Sequence, residues 1–274
     1  MRMRKKDIPY AILFLVLLAG GCFMLVPFVW MILSSFKSNL EIISSTSIWP
    51  QAPSAEGYVT VVRDAPFMRW LMNSLVTSTA ITLGTLFTSA LAGYIFAKFH
   101  FRGKQTIFVV LLGTMMIPFQ VVMIPTYLII SKLGLLNSLL ALVVPGLVSA
   151  FGVFLARQAV ESIPYEMIES ARMDGSGEFR TFWQIVLPQI TSMLSALGIF
   201  TFMAAWNNYL WPLIVLNDNE KMTVPLALVF FNSKNTVNYN VSMSAGVLIM
   251  IPVFIVFLLF QRHFIKGLTM TGMK

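Results

Sequence analysis

Residues 70–97 read WLMNSLVTSTAITLGTLFTSALAGYIFA, twenty-eight positions without one Asp, Glu, Lys or Arg. A helix needs about 20 mostly apolar residues to cross a bilayer core, so this stretch is long enough to span it. It is also unusual in being rich in Ser, Thr, Ala and Gly. Helices in lipid gain little from hydrophobic burial against one another, and small or hydroxylated residues let them approach closely and hydrogen-bond across the contact. The sequence therefore predicts a central, protein-packed span here, in an all-α membrane protein.

Five further charge-free stretches of comparable length flank it, at 8–36, 105–131, 133–156, 188–217 and 237–261. The chain as a whole, 274 residues with 57% apolar and only 11% charged, lacks the residues that would clothe a soluble domain, which excludes a soluble enzyme. A single permease domain over 1–274 is expected, with six spans, a loop at 157–187 and a tail at 262–274. The basic start, Arg2 to Lys6, and the run ending in Cys22 imitate a secretory signal, but the apolar run continues to Leu33, too long for a signal core. An uncleaved first span is expected.

Basic residues set the orientation, because cytoplasmic loops retain Lys and Arg. With the N-terminus inside, 13 of the 19 basic residues fall on the cytoplasmic side, and both termini lie there. The net charge of +8 is thereby accounted for by topology, and nucleic-acid binding is not expected. One cysteine and two separated histidines, His100 and His263, leave no basis for a metal site. The spans hold no charge for ion coupling or acid–base catalysis.

Within the third span, Pro118 and Pro125 each remove a backbone donor and should kink the helix, with Gln120 between them as a polar group needing a partner. In the fifth, Trp206-Asn-Asn-Tyr-Leu-Trp-Pro212 sets two amides among three aromatics. Such rings suit a membrane-interface belt, and equally the stacking of a sugar face, with Asn207 and Asn208 bonding hydroxyls. Gln120, Trp206, Asn207, Asn208 and Tyr209 are the candidate substrate-path residues.

The 157–187 loop is too long to lack structure of its own. Five of the chain's 11 acids lie in it: Glu161, Glu166, Glu169, Asp174 and Glu178. Pro164 suits a helix start, Asp174-Gly175 a turn, and Phe179, Phe182, Trp183 and Val186 fall on one face of a second short helix ending at Pro188. A helix that merely rests on lipid is Lys/Arg-rich, whereas this element is net acidic and suits a protein partner.

Glu169-Ser-Ala171, then Gly175 after three intervening residues and Ile185-Val-Leu-Pro188 after nine more, resemble the EAA motif of ABC importer permeases, E-A-A-x3-G-x9-I-x-L-P, with Ser170 in place of the first alanine. Trp206–Leu213, Thr223-Val-Pro-Leu226 and Phe260–Leu268 extend the likeness to the shorter membrane subunit of maltose-type carbohydrate uptake systems. The resemblance implies the type I importer permease fold in a bacterial inner membrane. It implies as partners a second homologous permease, a nucleotide-binding ATPase dimer and an extracytoplasmic solute-binding protein. Glu169, Ser170, Ala171, Asp174, Gly175, Ile185, Leu187 and Pro188 would form the ATPase-coupling element, and residues after Gly267 would reach the ATPase dimer interface. No phosphate-binding G-x-x-x-x-G-K-[ST] occurs, so this chain binds no ATP by that route and no cofactor is expected on it; ATP and magnesium would serve the partner. The expected cargo is a di- or oligosaccharide. A permease for another solute, an intramembrane enzyme and an autonomous channel or carrier are the alternatives.

Overall fold

The computed structural model describes the backbone of residues 8–232 and 238–269, and the side chains of 13–228, 230–231 and 238–258. The basic residues Arg2 to Lys6, the side chains of the tail and the chain end at 270–274 lie outside the described residues. Every regular element among those described is helical: α1 (Ile8–Ser34), α2 (Asn39–Ser44), α3 (Glu56–Asp64), α4 (Phe67–Lys98), α5 (Lys104–Thr114), α6 (Phe119–Lys132), α7 (Leu140–Gly146), α8 (Ala150–Glu161), α9 (Tyr165–Met173), α10 (Glu178–Thr181), α11 (Leu187–Gln189), α12 (Thr191–Trp206), α13 (Leu210–Val215), α14 (Ala227–Asn232) and α15 (Tyr239–Thr269).

Three single helices among the described residues are long enough and apolar enough to cross a membrane: Leu13–Ser34 of α1, all of α4, and Tyr239–Leu258 of α15. Three more candidates are bent pairs: α5 with α6 at 102°, α7 with α8 at 42°, and Glu178–Gln189 with α12 at 80°. Counting each bent pair as one span gives six.

The bends have local causes. Ile117 precedes Pro118 and is pushed away from helical geometry, while Pro118 itself, without a backbone N–H to lose, caps the start of α6. Pro125 sits inside α6 without breaking it, so only one of the two prolines ends a helix. Residues 133–139 form turns: Gly134 and Asn137 both take positive φ, 69° and 54°, which Gly and Asn tolerate best. The helix that follows begins at Leu140. Between α7 and α8, Ser149 caps the new helix by accepting from the Gly152 N–H at 3.1 Å.

The chain divides into two compact units, residues 1–67 with 227–251, and residues 68–226 with 252–274. In the first, the turn after α1 is tied by buried polar groups: Asn240 donates to the carbonyls of Ser35 and Lys37, at 2.9 and 2.6 Å, and the Ser35 hydroxyl meets Tyr58 at 2.6 Å. Cys22 is exposed on α1.

In the second unit, α4 and α8 pack at short range. A Cβ on Gly93 would lie 2.5 Å from the Ala156 Cβ and 2.7 Å from its carbonyl carbon, so hydrogen is the only side chain that fits. Higher on α4, Thr85 and Thr88 donate to the carbonyls of Gly146 and Leu147, each at 2.7 Å. Those carbonyls sit at the α7–α8 break, where the helix itself supplies no donor. The small and hydroxylated residues of α4 thus close-pack against a neighbour and satisfy its broken backbone.

Candidate functional site

The 157–187 segment folds as helix, turn and short helix around a buried cluster. Ala90 and Tyr94 of α4, Val160 of α8, Ile163, Ile168 of α9, Phe182, Val186 and Ile190 form its core. α9 starts at Pro164 and ends at Asp174, after which Gly175 takes φ +80°, a left-handed conformation free of strain only for glycine. Its inward side carries Ile168 and Ala171, both buried. Glu166, Glu169, Ser170 and Met173 fall at i, i+3, i+4 and i+7 and form an exposed outward stripe, with Met173 88% exposed.

The eight expected coupling residues therefore divide by position. Glu169, Ser170, Asp174, Gly175 and Pro188 are exposed, Ala171 is buried against the segment's own core, and Ile185 and Leu187 are half-buried. Leu187 packs on the same core as Ile168. The expected apolar face of the second helix splits: Phe182 and Val186 are buried, while Phe179 and Trp183 are exposed. Residues Phe182–Val186 form a π-helical turn, and Trp183, though partly exposed, stacks on Phe87 of α4 at 6.3 Å.

Polar contacts hold this element at both ends. Arg172 in the last turn of α9 donates from Nε to Glu178 at 2.8 Å and from Nη1 to the Tyr165 hydroxyl at 3.3 Å. Its guanidinium lies 5.8 Å from the Phe99 ring centroid. The Tyr94 hydroxyl donates to the other Glu178 oxygen at 2.8 Å. The bond to Glu178, followed by that to Tyr165, raises Arg172 further above its already high range. Lys98, only 6% exposed, donates from Nζ to the Ile163 carbonyl at 2.5 Å and lies 3.5 Å from that of Glu161. Sequence reasoning passed over Tyr94 and Lys98. Lys98 stands at the end of an apolar run, where a basic residue reads as an ordinary flank.

The five candidate substrate-path residues are placed differently from one another. Trp206 is 1% exposed and stacks on Phe202 at 5.8 Å, so its ring is covered within the chain. Asn207 and Asn208 are exposed and lie at the break between α12 and α13. Asn207 donates to the Met203 carbonyl at 2.9 Å, and Asn208 accepts from the Trp211 N–H at 3.4 Å. One bond of each amide is thus spent on the helix ends. Tyr209 and Gln120 are exposed. Trp211 is buried, donates to the Ala141 carbonyl at 2.9 Å and meets Phe119 edge-on at 5.6 Å.

A groove of about 500 Å³ lies between α4 and α12, with Leu75, Leu83, Leu86, Leu194, Ile199 and Phe202 among its walls. Three of its hydroxyls are engaged by nearby carbonyls: Thr82 bonds the Ser78 carbonyl, Thr191 that of Pro188 and Ser195 that of Thr191. Such a surface is suited to an apolar neighbour rather than to a polyhydroxylated solute.

Residues 80–270 match the family described as the inner membrane component of binding-protein-dependent transport systems. The chain belongs to that family. It is 36% identical over 254 residues to the arabinooligosaccharides transport system permease protein AraQ of Bacillus subtilis (strain 168), covering 91% of this chain and 90% of that one. It is 32% identical to the lactose transport system permease protein LacG of Rhizobium radiobacter, covering 96% of each. To the sn-glycerol-3-phosphate transport system permease protein UgpE of Yersinia pestis it is 34% identical, covering 85% and 84%. A crystal structure of a bacterial ABC transporter that imports alginate contains a chain of the same fold, with a TM-score of 0.83 at 24% identity over 96% of this chain and 99% of that one. This family member is a multi-pass membrane permease subunit with the all-α fold of ABC importer permeases, and it is not itself an enzyme.

Proposed function

We propose that the chain is a permease subunit of an ATP-driven, binding-protein-dependent importer of a neutral di- or oligosaccharide, docked on its ATPase through α9 and the turn at Gly175. The exposed stripe of Glu166, Glu169, Ser170 and Met173 carries this reading: an acidic, anchored helix whose outward side is left free. Glu169 pairs with a basic group of the ATPase, and Gly175 permits the turn that presents the stripe. The 13-to-6 division of basic residues supports a cytoplasmic location for this element and both termini, in a bacterial inner membrane. A second homologous permease completes the membrane unit, and an extracytoplasmic binding protein delivers the solute. ATP and magnesium are used by the partner ATPase.

The permeases AraQ and LacG carry saccharide names, and UgpE the name of a phosphate ester. Charge-free spans favour the neutral cargo, because a phosphate crossing them would need a cationic partner. Asn207, Asn208, Tyr209 and Gln120 are the residues offered to such a solute, with Trp206 supporting them from beneath. Uptake of radiolabelled mono-, di- and trisaccharides and of glycerol-3-phosphate, in a strain lacking the chain and in the same strain complemented, tests the cargo. Loss confined to glycerol-3-phosphate overturns the sugar reading. Gly175→Val forces a β-branched residue into left-handed geometry at a cost of about 1–3 kcal/mol. It is expected to reduce uptake to background while membrane insertion and the binding protein's sugar affinity hold, and undiminished uptake would count against the docking role.

A further inference from the structure

Among the described residues, α4 is the helix long and apolar enough to span that touches the docking element at both of its ends. Lys98 takes the Ile163 carbonyl, the last residue before the Pro164 cap of α9. Tyr94, one turn earlier on the same helix, takes Glu178, and through it Arg172 in the final turn of α9. Both α4 side chains are nearly inaccessible, at 6% and 2%, so these bonds form where water does not compete and their loss leaves buried groups unpaired. The turn holding Gly175 is therefore bracketed, front and back, by one helix.

That helix is also unbroken. Its 32 residues extend about 48 Å at 1.5 Å per residue, enough to cross a bilayer including its headgroups. Its other end holds a second segment just as tightly. Trp70 donates to the Asn219 carbonyl, Arg69 pairs with Glu220, Asn73 donates to the carbonyls of Glu220 and Met222 at 2.9 Å each, and Ser74 accepts from the Val224 N–H at 2.8 Å. The other spans of this unit that lie wholly within it are bent by 42° to 102°, and a bend can absorb a displacement that a straight helix must pass on.

We infer that Tyr94 and Lys98 are positioning residues that bind α9 and α4 into one moving piece, so that a push on α9 is delivered to residues 219–224 on the opposite side of the membrane. This rests on the docking role proposed for α9. Each residue acts by denying α9 the freedom to move without α4.

The test uses the assembled complex in lipid vesicles with ATP and vanadate, so no cargo need be known. In a Cys22→Ser background, Asn219→Cys provides one maleimide-reactive site in the 219–224 segment. With Tyr94 and Lys98 intact, trapping with ATP and vanadate is expected to change the labelling rate by at least about fivefold, the low end of ordinary coupling free energies. The Tyr94→Phe, Lys98→Met pair is expected to abolish that response while ATP hydrolysis stays within about twofold and the ATPase still copurifies. Lys98→Arg, keeping a donor, should restore most of it, which a purely structural loss would not predict. If the double variant does not assemble, Tyr94→Phe alone, which removes one oxygen and keeps the packed ring, is read in the same assay and must lose at least half of the response. An unaltered response in the variants, or none with both residues intact, overturns the inference. An ATPase that fails to bind even the unmodified chain overturns instead the docking role of α9.

Discussion

Two charge-free spans, α1 and α4, differ in what they are made of and in how they are used. In α1 the run from Leu13 to Ser34 is built mainly from Leu, Phe, Val, Met and Trp, and of its residues only Ser34, at its end, is buried. In α4, the less apolar of the two, a third of the run is buried, and the buried positions are largely Ser, Thr, Ala and Gly. Hydropathy alone therefore ranks them in the wrong order for importance to the packed unit. In lipid a large apolar side chain is content on the outside, so the residues that mark an interior helix are those that let another backbone come near or that supply it with donors.

This contrast can be broken by substitution. The largest effect is expected at Gly93→Leu, since a side chain there collides with both the Cβ and the backbone of Ala156. Overpacking of a site that cannot yield costs about 3 kcal/mol or more, and the thermal midpoint of the purified complex should drop accordingly. An unshifted midpoint would mean that α4 and α8 are not pressed together as described. Next comes the pair Thr85→Val with Thr88→Val, which keeps volume but strips the donors from the Gly146 and Leu147 carbonyls. About 0.6–1 kcal/mol per bond is expected, read by the same melt, with non-additivity between the two because they serve one break. The smallest effect belongs to Phe14→Leu on α1, whose side chain is exposed: a change within about 0.5 kcal/mol. A loss as large as that at Gly93 would place a packed neighbour against α1 in the assembled transporter.

Much of the fold was legible because lipid leaves so few options. Uncharged runs of sufficient length mark the spans, and the small-residue composition of 70–97 pointed to the helix that now packs on α8 through Gly93. The acidic loop was legible as helix, turn and helix because Pro164 and Gly175 punctuate it unambiguously. What escaped was geometry that depends on neighbours. Pro118 and Pro125 look alike in sequence, yet only Pro118 has a helix ending before it. The spacing of Phe179, Phe182, Trp183 and Val186 marked one apolar face but not the π-helical turn at Phe182–Val186, nor which two of the four would be buried. Trp206 belonged to a string of aromatics that suits either a solute or a membrane interface, and its burial against Phe202 depends on a side chain four residues away whose orientation the string does not encode. Tyr94 and Lys98 were invisible for a related reason: their partners lie 84 and 65 positions distant, and nothing local announces a bond of that reach.

The lone thiol of Cys22 offers an experimental convenience that follows from its position. Because the sequence holds no other cysteine and this one is exposed on α1, a fluorophore or spin probe attached to the unaltered chain reports from a single known place on a helix that few of its own residues touch. Quenchers placed at graded depths in the bilayer would then locate that helix relative to the lipid surface with no engineering at all, and the serine replacement gives a silent background for every probe introduced elsewhere.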